Sequence, residues 1–228
     1  MRTAAKAKPK KIIKKTLSGA PDMRSRRSEQ TQQQILAAAE VEFAEKGLAG
    51  ARVDVIAEES GLNKQMIYYY YGSKEDLYLA VLERAYTAMR QSERELNLVD
   101  IEPLDAIRKL VEFKFDYYAQ NPRTIRLLAA ENMQNAEFLT KSTRLREMHA
   151  SLIDVLQAIL KAGEKKKLIR AGVDPVQLYF SIAALSYFSF SNAPTLSAVF
   201  GRDLSNSHEL KKRRAHAVEI VLDHIRVR

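Results

Sequence analysis

The sequence predicts an all-α fold in which a small N-terminal three-helix unit is joined through a fourth helix to a larger helical domain. Apolar residues recur with a period near 3.6 along almost all of the 228 residues, and no stretch sustains the strict alternation of a strand. Glycines and capping residues break the first third at short intervals, at Gly47, Gly61, Asn63, Gly72 and Ser73. The length allows one large or two small domains, each with a core of its own.

The first helix is placed from Ser28 or Thr31 to Lys46, with Ile35, Ala39 and Phe43 on one face and Gly47 where a left-handed C-cap belongs. A second, Val53 to Ser60, buries Val53, Ile56 and Ala57 and stops at Gly61. Asn63 caps a third, Lys64 to Tyr71, by accepting from its first free N–H groups. Ser73 opens a fourth through Leu77, Val81 and Ala85 toward Leu96, with Glu75 and Asp76 in the first turn, where the helix dipole favours acids. Helices follow over Pro103 to Gln120, Pro122 to about Asn132 and Phe138 to about Lys161. Asp174 and Pro175, a cap and a proline at the first helical position, start a helix to about Phe200. The last runs from Ser207 to Arg226, with Leu210, Ala217, Val221 and Ile225 on one side.

Charge is distributed unevenly. Residues 1–27 hold ten Lys/Arg against one acid, Asp22, which equals the whole net charge of +9. Such a block, poor in apolar residues, is expected to be a disordered basic tail, either a solubilising segment or an arm for DNA phosphates. The lack of cysteine excludes a disulfide framework and any thiolate ligand or nucleophile. No apolar segment follows the basic residues as in a signal peptide, so a cytoplasmic location is expected.

The run Tyr68 to Tyr71 cannot face one way on a helix. With Ile67 at zero, Tyr71 falls at about 40° and Tyr68, Gly72, Gln65 and Tyr69 between about 100° and 200°. Ile67 and Tyr71 thus form the buried edge, and Gln65, Tyr68 and Tyr69 the opposite face, flanked by Lys64, Met66 and Tyr70. Large aromatics on the wet side of so short a helix mark a binding surface. Short helix, glycine turn, short helix is the helix-turn-helix plan, whose second helix enters the DNA major groove. Glutamine pairs with adenine, lysine with guanine, and tyrosine hydroxyls reach phosphates, as does Lys74 just beyond. Ser28 to Gly72 carries three basic residues against seven acids, so long-range attraction to DNA must lean on the tail.

These residues resemble a known family. ILAAAEVEFAEKG, followed by VDVIAEESGLNKQMIYYYYGSKEDLYLAVL, is similar throughout, over Thr31 to Leu82, to the DNA-binding domain of the TetR family of bacterial transcriptional regulators. The resemblance implies a helix-turn-helix DNA-binding domain over 28–73 and a helical ligand-binding and dimerisation domain over 74–228. It implies a sequence-specific regulator, a repressor released from a palindromic operator by a small-molecule effector, working as a homodimer at the bacterial nucleoid. Carried over residue by residue, DNA contacts fall on Lys64, Gln65, Met66, Tyr68, Tyr69, Tyr70 and Lys74, with Arg52 where much of the family has threonine. Arg52 and the closing HIRVR resemble the subgroup regulating pyrimidine catabolism. Tyr71 replaces the usual phenylalanine, and its hydroxyl needs a partner if buried. An architectural DNA-binding protein without effector control, supported by the basic tail, is the competing expectation.

Pro175 to Gly201 contains no charged residue, but five serines, Asn192 and Pro194 make it too polar for a membrane span. A helix apolar all round is buried all round, which here implies packing on a symmetry mate, together with the last helix, in a four-helix dimer interface. An effector pocket is expected between the middle helices, with Phe113, Tyr117, Met133, Tyr179, Ser186, Tyr187 and Asn192 as candidates. No catalytic motif occurs. His208, His216 and His224 recur at eight residues, a drift of about 80° per step that does not converge on a metal. No catalytic residue, metal or cofactor is predicted.

Overall fold

In the computed structural model, which describes residues 23–227, helix α1 spans Met23–Gly50 and carries the inward face predicted for it, with Ile35, Ala39 and Phe43 fully buried. It starts earlier than expected. Met23 to Arg27, assigned to the disordered tail, are helical, because the arginines there are good helix formers and local bonds extend the helix. Ser25 Oγ donates to Glu29 Oε1 at 3.2 Å and Thr31 Oγ1 to the Arg27 carbonyl at 2.9 Å. The rest of that tail, residues 1–22, lies outside the described residues. Gly47 has the positive φ predicted, 62°, but with ψ at 179° it kinks the chain and a last helical turn resumes beyond it.

Helices α2 (Val53–Ser60) and α3 (Lys64–Tyr71) occupy the predicted spans. Between them Gly61 is left-handed, at φ 67° and ψ 23°, a conformation that a side chain would strain. The Asn63 side chain accepts from the Met66 N–H at 2.9 Å. Helix α4 (Lys74–Arg94) is capped by Ser73, whose Oγ accepts from the Asp76 N–H at 3.0 Å. Its first half completes the core of the head through Leu77, Tyr78, Val81 and Leu82, so α4 is shared by the two domains. Leu127 and Phe138 of the second domain enter that same core.

The second domain comprises α5 (Pro103–Gln120), α6 (Pro122–Met133), α7 (Thr143–Lys165), α8 (Pro175–Ser191), α9 (Ala193–Phe200) and α10 (Ser207–Ile225). Its core gathers Ile107, Leu110, Leu156, Ile182, Val221 and Ile225. Three boundaries differ from expectation. A 3-10 turn over Leu98–Asp100 follows α4, which ends at Arg94 rather than near Leu96. Helix α7 starts at Thr143, not Phe138, because a 3-10 turn over Leu139–Lys141 intervenes and Ser142 caps the helix. The uncharged helix breaks at Asn192, whose backbone leaves helical geometry just before Pro194, a residue with no N–H to continue the ladder. Nor is it buried all round, since Phe180 and Phe188 are exposed. Among the described residues no helix is long and apolar enough to cross a membrane.

Candidate functional site

Helix α3 stands on Ile67, its one fully buried side chain, so the remaining residues are free to serve another surface. Tyr69 is 79% exposed and Tyr68 42%, beside exposed Lys64 and Gln65, which reproduces the face derived from helical angles. Tyr71 is half-buried, and its hydroxyl donates to the Gln32 carbonyl of α1 at 3.3 Å, supplying the partner that a phenylalanine would not need. Tyr70 and Met66 are half-buried as well, and Tyr70 packs on the head core with its ring edge-on to Tyr69 at 5.2 Å. Tyr70 therefore braces Tyr69 from behind.

The charges around α3 are partly committed. Lys64 Nζ lies 3.0 Å from Asp54 Oδ1, and this hydrogen-bonded carboxylate raises the lysine pKa. Both groups are exposed, so exchanging Asp54 for a DNA oxygen costs little. Arg52 is exposed at the N-cap of α2 and cannot cap it with its side chain; its N–H instead donates to Glu42 Oε1 of α1 at 3.0 Å. Lys74, half-buried in the first turn of α4, shares that turn with Glu75 and Asp76.

In the second domain the structure brings together only part of the predicted pocket. Tyr117 lies 5.7 Å from Phe113 and 6.4 Å from Tyr118, and Tyr118 meets Tyr187 at 5.8 Å, forming one aromatic layer between α5 and α8. Met133 is 86% exposed at the end of α6, so it lines no interior pocket of this chain. Ser186 is buried but spends its hydroxyl on the Ile182 carbonyl at 2.9 Å. Asn192 turns back on its own helix, donating to Ser191 Oγ at 2.8 Å.

Sequence reasoning missed the polar centre of this domain. Arg90, Glu93 and Lys114 are almost wholly buried, and the Glu93 carboxylate binds both cations, Lys114 Nζ at 2.5 Å and Arg90 Nη1 in contact. Arg90 Nη2 also donates to the Tyr179 hydroxyl at 2.8 Å, and the Tyr179 ring faces Arg90 and Lys114 at 5.6 and 5.5 Å. Burial pushes the Lys114 pKa down to about 8 despite Glu93. The signal was present: Lys114 follows Ile107, Leu110 and Val111 at core spacing, where a lysine stem alone cannot account for a buried ammonium. Beside Arg90 and Glu93 a cavity of about 150 Å³ opens between α4, the Leu98–Asp100 turn and α7.

Known proteins are similar to both halves of the chain. Residues 35–81 match the family described as bacterial regulatory proteins, tetR family, and residues 103–221 match the tetracyclin repressor-like C-terminal domain. The transcriptional repressor NicS of Pseudomonas putida is 38% identical over 184 residues, 81% of this chain and 87% of that protein. The transcriptional regulator RutR of Escherichia coli is 32% identical over 208 residues, 90% of this chain and 95% of that protein. The solved structure of SCO4942 from Streptomyces coelicolor superposes with a TM-score of 0.66 at 29% identity, over 86% of this chain and 98% of that one. With both halves matched, the chain belongs to the tetR family of bacterial regulatory proteins, a family of transcriptional regulators and not of enzymes.

Proposed function

We propose that the protein is a homodimeric repressor that holds a palindromic operator through α3 and leaves it when a small molecule occupies the second domain. The exposed pair Tyr68 and Tyr69, beside Lys64 and Gln65 on a helix anchored from behind, is the observation that carries this reading. Gln65 and Lys64 read base edges, the two tyrosines contact phosphate and thymine methyl groups, Met66 and Tyr70 support them, and Lys74 and Arg52 flank the helix toward phosphates. DNA at the bacterial nucleoid is the corresponding place of action.

Dimerisation uses the face that one copy leaves uncovered. Phe180, Phe188 and Phe200 are 57%, 51% and 65% exposed, and a largely apolar groove of about 850 Å³ runs between α8, α9 and α10. A second copy packed there closes a symmetric interface and holds two α3 helices about one DNA turn, roughly 34 Å, or a multiple apart. Effector binding then favours the dimer state whose heads no longer match that spacing. Selection of bound fragments from random DNA tests the reading. A palindromic site bound at least ~1000-fold more tightly than random DNA supports it, and affinity indifferent to sequence overturns it. The basic segment 1–27 supplies much of the salt-dependent affinity in this scheme, so deleting it flattens log K against log[salt], and an unchanged slope sinks that assignment.

A further inference from the structure

The reading helix carries one cation, and the fold pairs it in advance. Lys64 is the only basic residue of α3. Its Nζ lies 3.0 Å from Asp54 Oδ1 and 3.2 Å from Oδ2, so a carboxylate in the first turn of α2 grips the first residue of α3. The fold does not need this pair. The turn between α2 and α3 is already held by left-handed Gly61, by the Asn63 cap and by buried Ile56 and Ile67. An ion pair whose side chains are 46% and 75% exposed adds little to stability. The acid stands instead where a DNA-binding surface has most reason to avoid one, on a head whose residues 28–72 carry seven acids against three bases.

In a helix-turn-helix the first helix crosses the DNA backbone, while the start of the second meets base edges. On DNA of arbitrary sequence, Lys64 can only exchange the Asp54 carboxylate for a phosphate, one anion for another, and the released carboxylate then repels the backbone. That exchange gains almost nothing. A base acceptor is different: the ammonium has three donors and Asp54 occupies at most two, so a guanine O6 or N7 takes the remaining donor with the pair intact. We propose that Asp54 is a specificity-determining residue that acts through Lys64, cancelling its attraction for phosphates and leaving it a directional donor to a base edge. The proposal rests on the regulator reading above and adds to it a positioning residue outside α3. Without Asp54 the lysine is a free charge that any phosphate within reach satisfies, so random DNA gains and discrimination falls.

The test titrates the full chain by fluorescence anisotropy on the selected operator and on a random duplex of equal length, over a range of salt. Asp54→Asn, an exposed and nearly isosteric change, should bind random DNA more tightly, with log K against log[salt] steeper by about 0.9, one extra phosphate contact. The operator-to-random affinity ratio should fall about 3–5-fold, the scale of one exposed charge contact. In a Lys64→Met background the same exchange should not lower the ratio further, and Asp54→Glu, which keeps the carboxylate, should retain it. An unmoved slope on random DNA, an equal gain on both duplexes, or a fall of the same size in the Lys64→Met background or in Asp54→Glu overturns the inference. A preferred operator with no such fall in Asp54→Asn sinks this inference alone; the absence of any preferred operator sinks the regulator reading and this inference with it.

Discussion

Phe138, from the link between α6 and α7, lies edge-on against Tyr78 of α4 with ring centroids 5.3 Å apart, and Tyr78 meets Phe43 of α1 in the same manner at 5.1 Å. The second domain thus plugs an aromatic ring into the core of the head. The plug is held rigidly: buried Glu131 of α6 accepts the N–H groups of Phe138 and Leu139 at 2.8 and 2.9 Å. Ser142 Oγ also donates to Glu83 of α4 at 2.5 Å. Any shift of α6 must therefore carry the head with it or tear this contact, so the contact ties the two domains together mechanically.

Truncating the plug separates its roles. Phe138→Ala should destabilise the protein by about 3–4 kcal/mol through the cavity it leaves, read as a lowered melting temperature. Phe138→Leu, which keeps most of the volume, should stay folded and bind operator while weakening effector-driven release. Unchanged release in a titration of operator-bound Phe138→Leu would place the coupling elsewhere.

The tyrosine run predicts two opposite phenotypes within four residues. Tyr69→Ala touches no core contact of its own, so stability should move by no more than ~0.5 kcal/mol, while operator affinity should fall at least ~10-fold, about 1.4 kcal/mol. Tyr71→Phe should do the reverse, losing only the bond to the Gln32 carbonyl, about 1 kcal/mol of stability, with operator affinity kept. Denaturant melts and fluorescence anisotropy on operator DNA check both.

What was legible in the chain follows from how local the physics is. Helices α2, α3 and α5 begin and end where caps, glycines and prolines place them, because those signals act within one turn. The exposed face of α3 was legible for the same reason, since helical angles need only the sequence of that helix. Phe138 was assigned to a helix because its apolar character fits one, yet it is buried in a core built by residues about sixty and ninety-five positions earlier, and no local period encodes that. Met133, expected in the pocket between the middle helices from its apolar character, is exposed instead. Lys114 was legible as a lysine at core spacing, but its partners Arg90 and Glu93 lie on another helix, and no local pattern pairs them with it.

A charge placed on the uncovered face should dissolve the dimer without unfolding the chain. Phe188 is 51% exposed and lines the groove between α8 and α10, so Phe188→Glu removes no buried contact but sets two carboxylates against each other across a symmetric interface. Sedimentation should report a monomer with unchanged helicity and operator affinity reduced to that of a single head. A dimer that persists would move the interface off this face.

The buried lysine makes a prediction about stability against pH. The Lys114 pKa is lowered from 10.5 to about 8, because burial and the neighbouring Arg90 guanidinium outweigh the attraction of Glu93. Between these two values the unfolded chain binds the proton and the folded chain does not, so raising the pH favours the folded state, and that gain is lost as pH falls through about 8. The tyrosines act in the other direction at higher pH: Tyr86, raised to about 12, keeps its proton in the fold and loses stability only once the unfolded phenol ionises near 10. The window from pH 7.5 to 9.5 therefore isolates the lysine, and unfolding free energy should rise there by on the order of 2 kcal/mol. Lys114→Met leaves the Arg90–Glu93 pair neutral in itself and removes the titrating group, so its profile should be flat over the same range and its stability at pH 7 should exceed that of the unmodified protein. Urea melts at half-unit pH steps distinguish the two profiles, and a rise of equal size in Lys114→Met would assign the titration to another group.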